Sequence, residues 1–364
     1  MPNTTTMTGR ERVLAAMERR DHDRVPRHDT FWPETIRRWE DEGLEGGHKE
    51  LMRQLGSDFC GLCFAWPAPF PGRDEVLEED EETKVTINEF GTTERNWKHR
   101  AGTPEHLGFT CVDREVWFDD YKQRMVDHPC HIKIDYACDQ YEKGRAQGKF
   151  CHLAGVETFE TTRRMMGDEV TLMALVEDPE WVADVSRTVT DVLIRDYQQA
   201  LDRGIEPDCL WTFGDMAFNH ATMCSPAMYK ELVWPDHKRL ADFAHDHGMK
   251  FIYHTDGDVN GVMDLYLDAG FDALHPLESK AIMDIRTLAP EYGDRLTFYG
   301  NIDVMVMSTN DREKIEHEIK TKFAAAKANH GYIYHSDHSV PPAVSWDTYR
   351  FIIDCVEKYG WYDH

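Results

Sequence analysis

Short apolar runs alternate with longer amphipathic stretches along most of the 364 residues. Runs rich in β-branched and aromatic residues, bounded by Gly, Asp or Pro, read as strands. They fall at 24–28, 58–64, 149–154, 208–213, 250–254, 273–275, 296–299 and 332–335. Between them, a 3.6-residue apolar period predicts helices at 10–20, 33–42, 179–203, 225–247, 260–269, 282–289, 311–328 and 346–358. Thr8 with Glu11 has the form of a capping box, Pro33 suits a first helical turn, and Gly43, Gly204 and Gly248 suit helix ends. Strands separated mainly by helices imply parallel pairing through crossovers, and eight of them suit a single (β/α)8 TIM-type barrel of the α/β class. A doubly wound open sheet is the alternative. One stretch breaks the alternation. Residues 74–125 hold an acidic run at 75–82, then a hairpin-like alternation at 83–99 around Phe90 and Gly91. The expectation is one barrel domain over 1–364 with a β-rich insertion at 74–125 in an early loop, serving as lid, contact surface or dimer arm.

Composition narrows the function. Hydrophobic residues make up 41% and charged residues 30%, values of a folded globular chain. The net charge of −26 disfavours nucleic acid or an anionic membrane surface as partner. No apolar run approaches the roughly 20 residues that cross a bilayer. Residues 1–20 are polar and charged, unlike a signal peptide, and nine cysteines at irregular spacing suggest reduced thiols, so a cytoplasmic location is expected.

Candidate chemistry gathers where the strands end, the functional face of such a barrel. These ends carry His28 and Asp29, Gly214 and Asp215, His254 with Asp256 and Asp258, His275 and Glu278, Asn301 and Asp303, and His335 with Asp337 and His338. His254 and Asp256 are two apart, so both face one way if the strand continues. With Glu278 and His338 from other strands they form a donor set for zinc or another divalent ion, which would act as a Lewis acid or activate a nucleophile. A polar network without metal is the alternative. Cys60 and Cys63 have the spacing of a redox or zinc pair but read as strand cysteines without a second pair. Residues 164–167 read as a helix end. GxGxxG, GxxxxGK[ST] and GxSxG are absent, which removes the common signals of dinucleotide, nucleoside triphosphate and serine-hydrolase sites.

The residues at 254–258, 268–278, 299–303 and 331–342 resemble the uroporphyrinogen decarboxylase superfamily, as do 9–14, 23–26, 214–217 and 225–229. The resemblance spans most of the chain outside the 74–125 segment, and it implies a (β/α)8 barrel with its site at the strand ends. It also implies one of two chemistries. Cofactor-free decarboxylation of a tetrapyrrole relies on an arginine-rich N-terminal signature, and here the matching stretch, 26–33, offers only Arg27. His338 falls where that branch has a histidine near its substrate. Zinc-dependent members instead pass methyl groups between a small substrate and a corrinoid protein. Their zinc site resembles His-x-Cys with a later Cys and a nearby acid. His254 matches the histidine and Glu278 the acid, while Asp256 and His338 stand in the cysteine positions.

The expectation from this resemblance is a methyltransferase of O-demethylase type. It would move methyl from a small donor, with methoxylated aromatics as the candidate class, to cob(I)alamin on a corrinoid partner protein, with zinc at His254, Asp256, Glu278 and His338. Asp215 would orient substrate or supply a proton beside the catalytic His254, Asp256 and His338. Trp32, Phe64, Tyr253, Asn301 and His335 are expected to contact substrate, with Phe31, Trp66 and Trp211 as further aromatic lining. A decarboxylase is the alternative enzyme, a barrel retained only for binding is the alternative class, and a homodimer fits either.

Overall fold

The computed structural model describes residues 7–99 and 102–362. Seven parallel strands form one sheet in sequence order: β1 (Phe59–Ala65), β2 (Phe150–Val156), β3 (Cys209–Phe213), β4 (Lys250–Thr255), β5 (Ala273–Pro276), β6 (Thr297–Tyr299) and β7 (Tyr332–Ile333). Helices carry the chain between them, among them Thr158–Glu177, Pro179–Asp202, Trp234–Asp246, Met263–Ala269, Ile285–Tyr292 and Arg312–Ala326, and Trp346–Gly360 follows the last strand. This is an α/β fold in which each crossover returns the chain beside its previous strand.

The expected strand at 24–28 does not form. Its residues make only isolated bridges, Arg24 with Trp361 and Arg27 with Tyr334. Pro26 has no N–H to give a ladder, and the Arg27 N–H goes to the Asp58 side chain at 2.8 Å. The segment still touches both sheet edges, because Tyr334 donates to Pro26 O and Asp58 N donates to Arg27 O.

The same carboxylate device recurs at the start of other strands. Asp58, Asp208 and Asp272 each stand one residue before a strand. Each accepts a backbone N–H from the element preceding it in the sheet: Arg27, Cys151 and Phe251 respectively, all at 2.8 Å. Asp58 also takes Arg12 Nη1 at 2.6 Å and Arg24 Nη1 at 2.9 Å, with all three side chains buried. Asp208 takes Arg10 and Arg145, and Asp272 takes His245. A buried carboxylate is tolerated only when its oxygens are filled with donors.

Strand alternation divides the apolar residues between two faces. Phe59, Phe150, Cys209, Ile252, Ala273, Tyr299 and Ile333 pack together with Val13 and Met17 from the helix Gly9–Met17. Leu210, Phe251, Tyr253, Leu274, Phe298 and Tyr332 face the other way and join the larger core under the helices.

Within 74–125, Glu75–Glu79, Thr83–Ile87, Thr92–Trp97 and Glu105–Phe109 form a separate four-stranded antiparallel sheet, with Thr83–Ile87 and Thr92–Trp97 flanking a turn that contains Phe90 and Gly91. The rest of that segment differs from a β-rich expectation: Arg114–Val116, Trp117–Tyr121 and Lys122–Asp127 are helical.

Replacing Asp58 takes the carboxylate from buried Arg24 and one of two carboxylates from buried Arg12, which keeps Asp23. Asp58→Asn should cost about 3–5 kcal/mol in denaturant unfolding, as for other broken buried ion pairs. Breaking an exposed pair such as Arg312–Asp347 should leave the unfolding midpoint nearly unchanged.

Candidate active site at the strand ends

Two residues beyond the packed inner layer, the same strand face carries His152, Trp211, His254 and His275, with His335 just past β7. Their rings meet inside the sheet. The centroids of His275 and His335 are 4.5 Å apart, Trp211 and His275 4.9 Å, and His152 and Trp211 5.0 Å. Burial keeps this layer uncharged. It pushes His152 down to about 4, lowers His254 and His335, and holds His28 and His275 well below the usual imidazole range.

Above the layer opens a cleft of about 490 Å3. Phe64, Trp66, Trp211 and Phe213 form its aromatic walls, and His28, His152, His254 and Arg164 supply the polar groups. The Arg164 guanidinium lies 4.8 Å from the Trp66 ring centre and pairs with Glu160 at 3.0 Å.

His254 borders both this cleft and a cluster of carboxylates. Its Nδ1 lies 2.7 Å from His275 Nδ1, so one ring donates to the other and the His254 ring is held in place. Its Nε2 points to Asp215 Oδ1 at 3.8 Å and Asp256 Oδ1 at 3.9 Å. His338 Nε2 lies 3.4 Å from Asp256 Oδ2 and 3.7 Å from Glu278 Oε1. Asp215 accepts the Asp256 N–H at 3.0 Å. Glu278 accepts the Gly257 N–H at 2.7 Å and Lys280 Nζ at 3.0 Å. Gly257 has φ +87°, and a Cβ there would fall 2.5 Å from Ala217 O, so the turn that presents this N–H needs glycine.

The charge is uneven. Burial, then the neighbouring Asp256, raises the Asp215 carboxyl to about 6. Burial also pushes Asp256 upward, but the hydrogen bond from His338 and the electrostatic pull of the His254 and His338 rings outweigh it and leave Asp256 below its ordinary value. Burial opposes charge on His338, but Asp256 and Asp337 prevail and raise it to about 10.

The four expected metal-site residues and Asp215 therefore gather at one place. They form two overlapping triads, Asp215–His254–Asp256 and Asp256–Glu278–His338, each with one donor atom per residue within 4.8 Å of the others. The donor set fits a divalent cation: imidazole nitrogens and carboxylate oxygens, with the buried Asp256 Oδ1 receiving no hydrogen bond.

Other expected contacts are placed elsewhere. Phe64 lines the cleft. Tyr253 lies one residue from His254 and so faces the helices, packed on Phe271 and Tyr266, with its hydroxyl donating to Gly214 O at 2.8 Å. Asn301 is fully buried; it donates to Leu277 O at 2.6 Å and accepts from Ile285 N at 2.9 Å, clamping the loop that carries Glu278. His335 lies beneath the cleft against His275. Trp32 precedes the helix Pro33–Asp41 and does not border the cleft. Of the five expected substrate contacts, the cleft wall thus includes Phe64. Residues at strand ends divide between inner and outer faces, and position along the chain alone does not say which.

His152, Phe213 and Arg164 border the cleft and carried no expectation of a place in the site. A repeated apolar-x-His pattern, in 150–152, 252–254, 273–275 and 333–335, marks the inner face and would have found His152. Arg164 sits in the last turn before Gly167, whose non-helical φ of +78° and ψ of 163° break the helical run Thr158–Glu177 there, in line with a helix end at 164–167.

The family model of uroporphyrinogen decarboxylase (URO-D) matches residues 158–359. The chain belongs to this family. Two curated relatives carry the name uroporphyrinogen decarboxylase. The one from Vesicomyosocius okutanii subsp. Calyptogena okutanii is 27% identical over 78 residues, 21% of this chain and 22% of that one. The one from Syntrophotalea carbinolica is 25% identical over 134 residues, 37% of this chain and 38% of that one. The chain thus spans about a fifth to two fifths of the length of the curated relatives it matches. A solved methyltransferase from Methanosarcina mazei shares the fold, with a TM-score of 0.68 and 12% identity over 97% of this chain and 99% of that one. No helix among the described residues is long and apolar enough to cross a membrane.

Asp215 gives a pH test on metal-free protein. Its raised folded value means the folded state holds a proton that the unfolded state releases between about pH 4 and 6, so stability from this group falls as pH rises through that window. Asp215→Asn keeps the acceptor for the Asp256 N–H. In thermal unfolding with chelator it should be more stable than the wild type above pH 6, and the advantage should shrink toward pH 4.

Proposed function

We propose that this protein is a metal-dependent methyltransferase that moves a methyl group from a small methoxylated aromatic substrate to cob(I)alamin carried by a corrinoid partner protein. The observation that carries the proposal is the double placement of His254: one ring borders an aromatic cleft and also belongs to an imidazole–carboxylate cluster suited to a divalent ion. The fold shared with the Methanosarcina methyltransferase is in keeping with it.

His254, Asp256, Glu278 and His338 would hold zinc. When bound, zinc supplies Lewis acidity to an ether oxygen. The residues do the rest. The walls of Phe64, Trp66, Trp211 and Phe213 bind an aromatic ring and exclude water. His275 orients His254 through their shared hydrogen bond, the role that outer partners of metal-bound histidines play. Asp215 fixes the backbone that carries Asp256. We take the sheet as a (β/α)8 barrel with residues 24–28 in the eighth position, because Asp58 grips Arg27 as Asp208 grips Cys151. The proposal includes the 74–125 insertion as a loop excursion, a cytoplasmic location and a homodimer.

A second reading, cofactor-free decarboxylation, is favoured by one observation: Arg164 borders the cleft and can bind a carboxylate. A tetrapyrrole with many carboxylates fits poorly. Among the described residues Arg164 is the one Lys or Arg on the cleft wall, and Arg27 is buried and paired with Glu357 at 2.6 Å.

The test is incubation of zinc-reconstituted protein with cob(I)alamin and a panel of methoxylated benzenes, following methylcobalamin by absorbance and the phenol product by mass spectrometry. Turnover is expected, with at least one zinc per chain. His254→Ala should lose that zinc and slow turnover at least 100-fold, whereas His275→Ala should weaken zinc binding by about 10- to 100-fold. Absence of both zinc and methylcobalamin, with carbon dioxide released from an aromatic acid, would establish the decarboxylase instead.

A further inference from the structure

We infer that the cluster binds two divalent cations, with the Asp256 carboxylate bridging them. The inference rests on the metal-dependent reading above and extends it from one ion to two.

The two oxygens of Asp256 serve different neighbours. Oδ1 faces His254, whose Nε2 lies 3.9 Å from it and 3.8 Å from Asp215 Oδ1. Oδ2 faces His338, whose Nε2 lies 3.4 Å from it and 3.7 Å from Glu278 Oε1. Donors about 2.1 Å from one tetrahedral ion are separated by about 3.4 Å. These imidazole–carboxylate spacings sit at or slightly above that value, and all donors of a triad lie within 4.8 Å of one another, so each triad can close on an ion by side-chain adjustment. No rearrangement into a single four-residue site is required.

Two further features point the same way. Asp256 Oδ1 is buried and receives no hydrogen bond, although it lies among polar groups. A carboxylate oxygen in that position lacks the donor that buried acceptors ordinarily have. On the other side an ammonium, Lys280 Nζ, already sits 3.0 Å from Glu278 Oε1. Lys280 is about half exposed at the rim, so it can swing away when a better cation arrives. Three carboxylates and two imidazoles are the ligand complement of carboxylate-bridged pairs, in which ions about 3.5–4 Å apart clamp a shared oxygen ligand. The donors are nitrogen and oxygen without thiolate, which suits Zn2+, Mn2+ or Co2+. The ligand class is therefore an oxygen donor such as an alkoxide or phenolate, entering from the cleft beside His254.

The experiment counts ions. Chelator-treated protein is titrated with Zn2+ by calorimetry and analysed by elemental mass spectrometry after desalting, and Co2+ loading is followed in the visible spectrum. Two ions per chain are expected in the wild type. Asp215→Asn and His338→Gln should each retain one, and Asp256→Asn should lose both, with every variant melting cooperatively. One ion in the wild type would overturn the bridge and leave the metal-dependent function standing. Two ions retained in Asp256→Asn would overturn the bridging role. No ion in a folded wild type would overturn this inference and the function together.

Discussion

A carboxylate placed one residue before a strand, gripping the backbone of the element alongside, is the interaction on which this structure depends. Asp58, Asp208 and Asp272 repeat it across the sheet. A one-residue slip in a strand would exchange its faces, and these carboxylates hold the starts of the strands against slipping. At Asp58 the grip matters most, since its neighbour is an irregular segment with Pro26 at its centre. Two guanidiniums and the Arg27 N–H fill the Asp58 oxygens and fasten that segment to β1. The segment then delivers Asp29, which is fully buried and accepts from Tyr334, Tyr349 and Ser336. Ser336 lies two residues before His338. An ion-pair cluster at the strand starts thus helps to set a ligand position at the strand ends.

Polarity changes in character along the inner face. At the strand starts, charges are present and paired. In the middle, the imidazoles are neutral because burial penalises their charged forms. At the strand ends, charges return without full pairing: Asp215 crowds Asp256, and Asp256 keeps an oxygen without a donor. A neutral imidazole layer beneath the rim can orient His254 through a hydrogen bond without adding positive charge that would repel a cation. Local polar satisfaction is sacrificed where a ligand is expected to supply it.

The fold was legible to the extent that it was written in short-range patterns. Seven strands lie close to their expected positions because each is an apolar run stopped by Asp, Gly or Pro. The eighth failed because residues 24–28 read as a short strand-like run before a polar strand end, while Pro26 has no N–H and the partner of the Arg27 N–H is a side chain 31 residues away. Ile134–Ala146 and Thr158–Glu177 escaped notice for different reasons. The first is largely polar, with few buried positions, and the second is interrupted by Gly167. At the site, His254, Asp256, Glu278 and His338 could be found because strand-end His and Asp residues are conspicuous. Which strand-end residues face the cleft required the two-residue period, and that period separates His254 from Tyr253. Arg164 lies on a helix after β2, and no local pattern announces that such a residue bends back over the cleft.

The ligand chemistry follows from what replaces the thiolates. Where the resemblance places cysteines, this chain has Asp256 and His338, and neither triad among the described residues contains a cysteine. Thiolate ligands donate strongly and soften a bound zinc ion; carboxylate and imidazole leave it harder and more acidic. A harder ion discriminates against sulfur donors and in favour of oxygen. The change also alters geometry, since a thiolate offers one sulfur to a site whereas a carboxylate has two oxygens that can face different ways. Asp256 does this here, with Oδ1 toward His254 and Oδ2 toward His338. On the proposed metal-dependent reading, the residue types at 256 and 338 would therefore set the preferred donor atom of the substrate, and the two oxygens of Asp256 would set the number of cations the site organises.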